Sequence, residues 1–144
     1  MLLLAMLLLS LCDAAKERGG AAAEEVTLEG LLLLGYHDSR LQDRVRPPGS
    51  LECAVFVAFP GTPPFLTPGY DWEHYRGGPR MTAFSLAYQD ASRRPGFRPK
   101  RVMIRGTLIR RTGFRFHAAH RGNGFGYRGV YPAAILVKAI EFAP

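Results

Sequence analysis

Apolar side chains fall on every second position across residues 26–36: Val26, Leu28, Leu32, Leu34 and Tyr36 share one face with Gly30. A period of two puts alternate residues on one side of a pleat, so the stretch predicts a strand. Its other face carries Thr27 and Glu29 and then Leu31 and Leu33. A second half that is apolar on both faces predicts a cover from elsewhere in the chain. The alternation returns in residues 51–59, where Leu51, Cys53, Val55, Val57 and Phe59 form one face. It returns again in residues 101–111, with Val102, Ile104, Gly106 and Leu108 expected to point inward. Residues 81–89 alternate with Thr82, Phe84, Leu86 and Tyr88 as the expected inner face, and residues 134–142 give a last strand. No stretch sustains a helical period, so the pattern predicts five strands.

The segments between are loops of unequal length. Residues 40–50 are polar, contain Pro47-Pro48-Gly49 and read as a loop with one short turn of helix. Pro60-Gly61-Thr62-Pro63-Pro64 stops the second strand. From there to residue 80 the chain is rich in Pro, Gly and aromatics, among them Phe65, Tyr70, Trp72 and Tyr75. Connections of this length are commonly functional or disordered, and the aromatics here offer area to bury. Residues 114–131 are irregular, with glycine at 122, 124, 126 and 129.

Two of the strands share the pattern Val-x-(Leu/Ile)-x-Gly-x-Leu, once from Val26 and once from Val102. Glycine in mid-strand marks a bulge, a bend or a close backbone approach. Two bent strands predict a tightly coiled, closed sheet, in which a β-branched residue at Gly106 conflicts with the bend. Glu29 and Arg105 hold matching places in the two motifs and are the expected cross-strand partners if these strands are neighbours.

The chain has 144 residues, enough for one core. Residues 2–11 are apolar except for Ser10, too short a run for a bilayer but suited to the apolar region of an export signal. Ala21-Ala22-Ala23 supplies small residues for cleavage after Ala23, with Ala14 and Ala15 as rival sites, although no Lys or Arg precedes the run. The expected organisation is a cleaved signal peptide over residues 1–23 and a β-barrel domain over residues 24–144. The expected location is the periplasm or the exterior, with no transmembrane span in the mature chain. Lipid anchoring through Cys12 is the weaker variant, because Leu11 stands where a small residue is normal. Cleavage after Ala23 would leave Cys53 as the only thiol, buried and inert, with no intramolecular disulfide.

Charge divides along the chain. The formal net charge is +7, with −5 over residues 24–75 and +12 over residues 76–144. Such asymmetry steers anionic partners: nucleic acid, anionic lipid headgroups or an acidic protein. Sixteen of the nineteen basic residues are arginine, and Ala, Gly and Pro are abundant, a bias that GC-rich coding gives without selection for binding. Charge alone therefore carries little.

Chemistry is sparse. His117 and His120 are the closest histidine pair, but no Asp or Glu lies between residues 91 and 140, and a closed zinc site wants four ligands. No metal or cofactor is assigned. Ser39, Ser50, Ser85 and Ser92 lack a nucleophile-elbow context, and the carboxylates of Asp71 and Glu73 have Arg76 and Arg80 close by. No catalytic residue is assigned. The best binding signal is aromatic residues interleaved with arginine. It gives Arg105, Phe114, Arg115, His117, Arg121, Tyr127 and Arg128 as the candidate ligand-binding set, with rings to stack and guanidinium groups to meet anions.

Five strands with a bent first and a bent fourth resemble the OB-fold, a small Greek-key barrel. Over nearly the whole of residues 24–144 the chain is similar to a family of small exported bacterial OB-fold-like domains of unknown function. The shared elements are Val26 to Gly30, Val102 to Leu108, Thr112-Gly113 with His117 downstream, and Val137 to Ile140. In this chain Phe114-Arg115-Phe116 intervenes between the turn and the histidine. The resemblance implies fold and export and supplies no activity. The reading is an all-β, five-stranded OB-like Greek-key barrel with long loops. It serves as a non-enzymatic binding or accessory module of the cell envelope, its partner an envelope protein or an anionic ligand. The alternatives are a single-stranded nucleic-acid-binding protein and an envelope hydrolase or metal-binding protein.

Overall fold

In the computed structural model, residues 7–16, 23–34, 39–47, 49–59, 83–118 and 121–144 are described. The first long alternating stretch forms strand β2, Glu24–Leu34, and buries Val26, Leu28 and Leu32 as its period requires. Preceding it are a two-residue strand β1, Leu7–Leu8, and a short helix α1, Leu11–Ala15. Then come β3, Ser39–Gln42, and β4, Ala54–Ala58, followed by helix α2, Ala83–Ser92. Strand β5, Arg101–Arg110, precedes the small strands β6, Phe116–Ala118, and β7, Arg121–Gly122. Strand β8, Ala133–Phe142, closes the chain.

Five of these strands make a closed mixed barrel. The order is β2-β3-β4-β8-β5, with β5 returning to β2. The β4–β8 pair is parallel, whereas β2–β3, β3–β4, β5–β8 and β2–β5 are antiparallel. The first barrel strand thus pairs with the fourth, and the third with the fifth. The core holds Val26, Leu28, Leu32, Leu41, Val55, Val57, Val102, Ile104, Leu108 and Ile135.

The number of barrel strands agrees with the pattern, but two elements differ from it. Strand β3 replaces part of the polar loop expected at residues 40–50. It escapes hydrophobic patterning because its buried residues are partly polar. Ser39 Oγ donates to Val57 O at 2.7 Å, and Gln42 Nε2 donates to Ser50 O at 3.0 Å, so both are buried with their polar groups satisfied. The strand expected at residues 81–89 is instead the helix α2. It buries Ser85 and Tyr88, three apart on one face, and leaves Leu86 54% exposed. The alternation of Phe84, Leu86 and Tyr88 is therefore coincidental. The aromatic-rich stretch at residues 60–80 lies outside the described residues.

Helix α2 docks through Tyr88, with Phe84 packed against Phe142. Tyr88 sits against Phe84 and edge-on to Phe97, and its hydroxyl donates to Leu32 O at 2.6 Å while accepting from Lys100 N at 2.8 Å. It thereby ties the helix to β2 and to the chain entering β5. Burial pushes its phenol above the ordinary tyrosine range.

The two motif glycines have different tasks. At Gly106 the β5–β8 register shifts between Arg105 and Gly106, and an added Cβ would collide with the carbonyl oxygen of Leu136. At Gly30 an added Cβ would collide with the Leu11 side chain and sit 2.6 Å from Gln42 O. Gly30 therefore leaves the space that α1 fills.

The β2–β5 register sets Thr27 opposite Arg105 and Glu29 opposite Met103. The expected Glu29–Arg105 facing pair is thus corrected by a shift of two residues. The ion pairs form at the beginning of β2 instead. Glu25 accepts from Lys138 Nζ at 2.8 Å and from Thr107 Oγ1 at 2.5 Å, which together hold its carboxyl below the usual range. Glu24 meets the inward-lying, nearly buried Arg110 at 2.6 Å.

Two outcomes follow from this packing. Gly106→Val lowers stability by at least ~2 kcal/mol, since a backbone oxygen cannot move aside, whereas Thr107→Val costs under ~1 kcal/mol for one exposed hydrogen bond. Equal urea midpoints for the two variants would contradict this. Tyr88→Phe costs about 1–3 kcal/mol at neutral pH by stranding Leu32 O and Lys100 N. A raised phenol pKa keeps its full contribution below the unfolded value near pH 10 and loses it as pH rises further. The alkaline fall in stability is accordingly shallower in Tyr88→Phe than in the parent, as read by denaturation between pH 8 and 11.

Candidate functional site

Between β5 and β8 the chain makes its longest described excursion, residues 111–132. Its base is fastened at both ends. Arg111 N donates to Pro132 O at 2.9 Å, and Phe125 and Tyr131 exchange backbone hydrogen bonds at 2.7 and 3.1 Å. The rings of Phe125 and Tyr131 turn onto the outer face of the barrel. There they join Ala54, Phe56, Ala58 and Ala134 in a second apolar cluster, with Tyr131 and Phe56 centroids 5.8 Å apart. Gly124 N donates to Gly129 O at 2.8 Å, and a Cβ at Gly124 would strike Tyr131 O, so the loop winds against itself backbone to backbone.

Asn123 links this base to the hairpin above it. Its Oδ1 accepts from Arg115 N at 2.7 Å, its Nδ2 donates to Gly113 O at 3.0 Å, and its own N donates to Arg115 O at 3.1 Å. Strands β6 and β7 then pair antiparallel. Every residue of β6 is exposed, including Phe116 at 54%, which stands edge-on to Phe114 with centroids 5.1 Å apart.

The structure brings most of the sequence-derived set together here. Phe114, Arg115, His117 and Arg121 lie on the hairpin, and Arg128 lies in the 3-10 turn Tyr127–Gly129 just after it. Arg115, His117, Arg121 and Arg128 are exposed. Arg128 takes a left-handed backbone, φ 59°, a conformation that costs an L residue roughly 1–2 kcal/mol. The backbone of Tyr127 belongs to the turn, while its side chain and His120 lie outside the described residues. Arg105 is apart from the others. It stands on the outer face of β5, opposite Thr27, and lines a shallow groove of about 270 Å³ with Thr27, Met103, Ala139, Ile140 and Glu141. Six residues of extended strand, roughly 20 Å, separate it from the hairpin base.

Sequence reasoning missed two contributors. Asn123 carries no charge or ring, and its only signal was its place between glycines. The other is the cluster around Arg46, which meets Asp43 through two 2.9 Å bonds and Glu52 through a third. Arg46 holds the Asp43 carboxyl below its ordinary value. Asp43 Oδ2 lies 4.0 Å from Cys12 Sγ. Cys12, Asp43 and Cys53 are the only group of three metal-type ligands among the described residues, and both sulfurs are joined in a disulfide. Asp71, Glu73, His74, His37 and Asp38 lie outside the described residues. The geometry offers cations and an exposed ring on a rigid base, which suits binding an anion.

Asn123→Ala removes the side-chain bonds to Arg115 N and Gly113 O and costs about 1 kcal/mol. Amide exchange at Arg115 accelerates several-fold in this variant, while exchange at Leu28 and Ile104 is unchanged. Unaltered exchange at Arg115 would contradict the positioning role. No family model, no curated protein and no solved structure matches this chain.

Proposed function

We propose that the protein is a non-enzymatic binding module that works outside the cytoplasm and meets an anionic envelope ligand through the β6–β7 hairpin. The observation that carries this reading is the hairpin itself. Arg115, Phe116, His117 and Arg121 are exposed together on a loop pinned by Asn123, in a stretch with no acidic residue between positions 91 and 140. A rigid base lowers the ordering cost of binding. The location is supported by the Cys12–Cys53 bond, since disulfides persist in oxidising compartments. The membership of a small exported OB-like family stands as part of the same proposal.

Nucleic-acid binding is the rival that the interleaved rings and arginines favour. Against it, Phe125 and Tyr131 already cover Phe56 on the outer face of β4, and strand faces of this kind carry the oligonucleotide in OB-folds. The test is retention on heparin, used as a polyanion probe, with titration of a 20-mer oligothymidylate beside it. The parent is retained and elutes earlier as Arg115→Glu/Arg121→Glu, and oligothymidylate binds no tighter than non-specific contacts, weaker than roughly 1 μM at physiological salt. Equal elution of parent and variant would contradict the hairpin reading. Submicromolar oligothymidylate binding with a steep salt dependence would replace it with the nucleic-acid rival.

A further inference from the structure

The N-terminal residues are built into the barrel wall. Leu7 and Leu8 pair in parallel with Val26 and Thr27 of β2, and Leu9 N donates to Thr27 O at 3.2 Å. Ser10 then caps α1, its side chain accepting from Asp13 N. Helix α1 contacts β4 and β2. Leu11 and Ala14 are 4% and 0% exposed and belong to the main core. Leu11 occupies the space beside Gly30, and Arg110 Nε donates to Ala14 O at 3.4 Å. Cys12 is bonded to Cys53, forty-one residues along, at the turn that opens β4. Cys53 itself takes a left-handed backbone, φ 51°, which fixes that turn in an unusual shape.

We infer that residues 7–16 are the permanent occupant of the space beside Gly30, against β2 and β4, retained in the mature protein and locked there by the Cys12–Cys53 disulfide. Cleavage after Ala23 would remove β1, α1 and Cys12 together. It would uncover an apolar slot lined by Gly30 and Leu41 and leave the free edge of β2 unpaired. An unpaired edge beside apolar surface invites association with other chains. The lock forms by thiol–disulfide exchange with a protein or small-molecule disulfide. The Cys12 and Cys53 thiols give up two protons and two electrons, one sulfur–sulfur bond forms, and the oxidant's disulfide leaves as two thiols. Held in this way, the segment is an intrachain case of strand addition, in which the peptide and its groove belong to one molecule.

The test is the intact mass, without reductant, of the protein recovered from cells expressing the full chain. The inference predicts a species that contains residues 7–16 and is 2 Da lighter than its dithiol form. A species beginning at Glu24 overturns it, and so does a full-length species with two free thiols. The proposed location rests on the same disulfide and is read separately from the compartment of recovery, while heparin retention bears on the hairpin alone, so failure of the lock leaves the hairpin reading standing. A second measurement covers the lock. Reductant lowers the melting temperature of the purified full chain by roughly 10 °C or more and leaves Cys12→Ser/Cys53→Ser unmoved. No shift in the parent overturns the lock.

Discussion

The pairing of β2 with β5 is the constraint on which the rest depends. Eight consecutive residue pairs, from Glu24–Leu108 to Leu31–Arg101, close the barrel and fix which side chains enter it. Because side chains alternate across a strand, this register sends Val26, Leu28, Val102, Ile104 and Leu108 inward together. It also sets the electrostatics. The acidic beginning of β2 meets Lys138, Thr107 and Arg110, so part of the basic excess in the second half of the chain is consumed within the barrel wall. The excursion at residues 111–132 carries arginine and no acid of its own. Part of the charge asymmetry is therefore paired within the wall, and the excursion remains basic.

That hairpin is held by means unlike those of the barrel. The wall relies on backbone ladders and aliphatic packing, while the hairpin relies on one asparagine, a close backbone approach at Gly124 and two rings turned onto Phe56. The rings that anchor it are spent on packing. What remains at the surface is Phe116 with its neighbouring cations. A conformation fixed before any partner arrives loses less freedom on binding.

How far the sequence foretold this depends on the element. Strands β2 and β5 were legible because one face of each is buried and the other is wet, which writes the period into the residues. Strand β3 was not, because Ser39 and Gln42 enter the interior with hydrogen-bond partners that no local pattern reveals. Helix α2 was misread because three apolar residues happen to alternate across a segment whose docking rests on Tyr88. The hairpin residues were legible as composition and their clustering was not. Arg105 shares their chemistry yet faces another side, and Asn123 lacks their chemistry yet positions Arg115. The Cys12–Cys53 link was invisible because an apolar start to a chain reads as a leader, and only tertiary structure brings the two sulfurs together.

Backbone NOEs measure the register of β2 against β5 directly. Cross-strand NOEs linking Thr27 with Arg105 and Glu29 with Met103 are expected in the folded protein. NOEs linking Glu29 with Arg105 instead, a slip of two residues, would contradict this register. Such a slip would take Glu25 from its place opposite Thr107 and set it opposite Ile109.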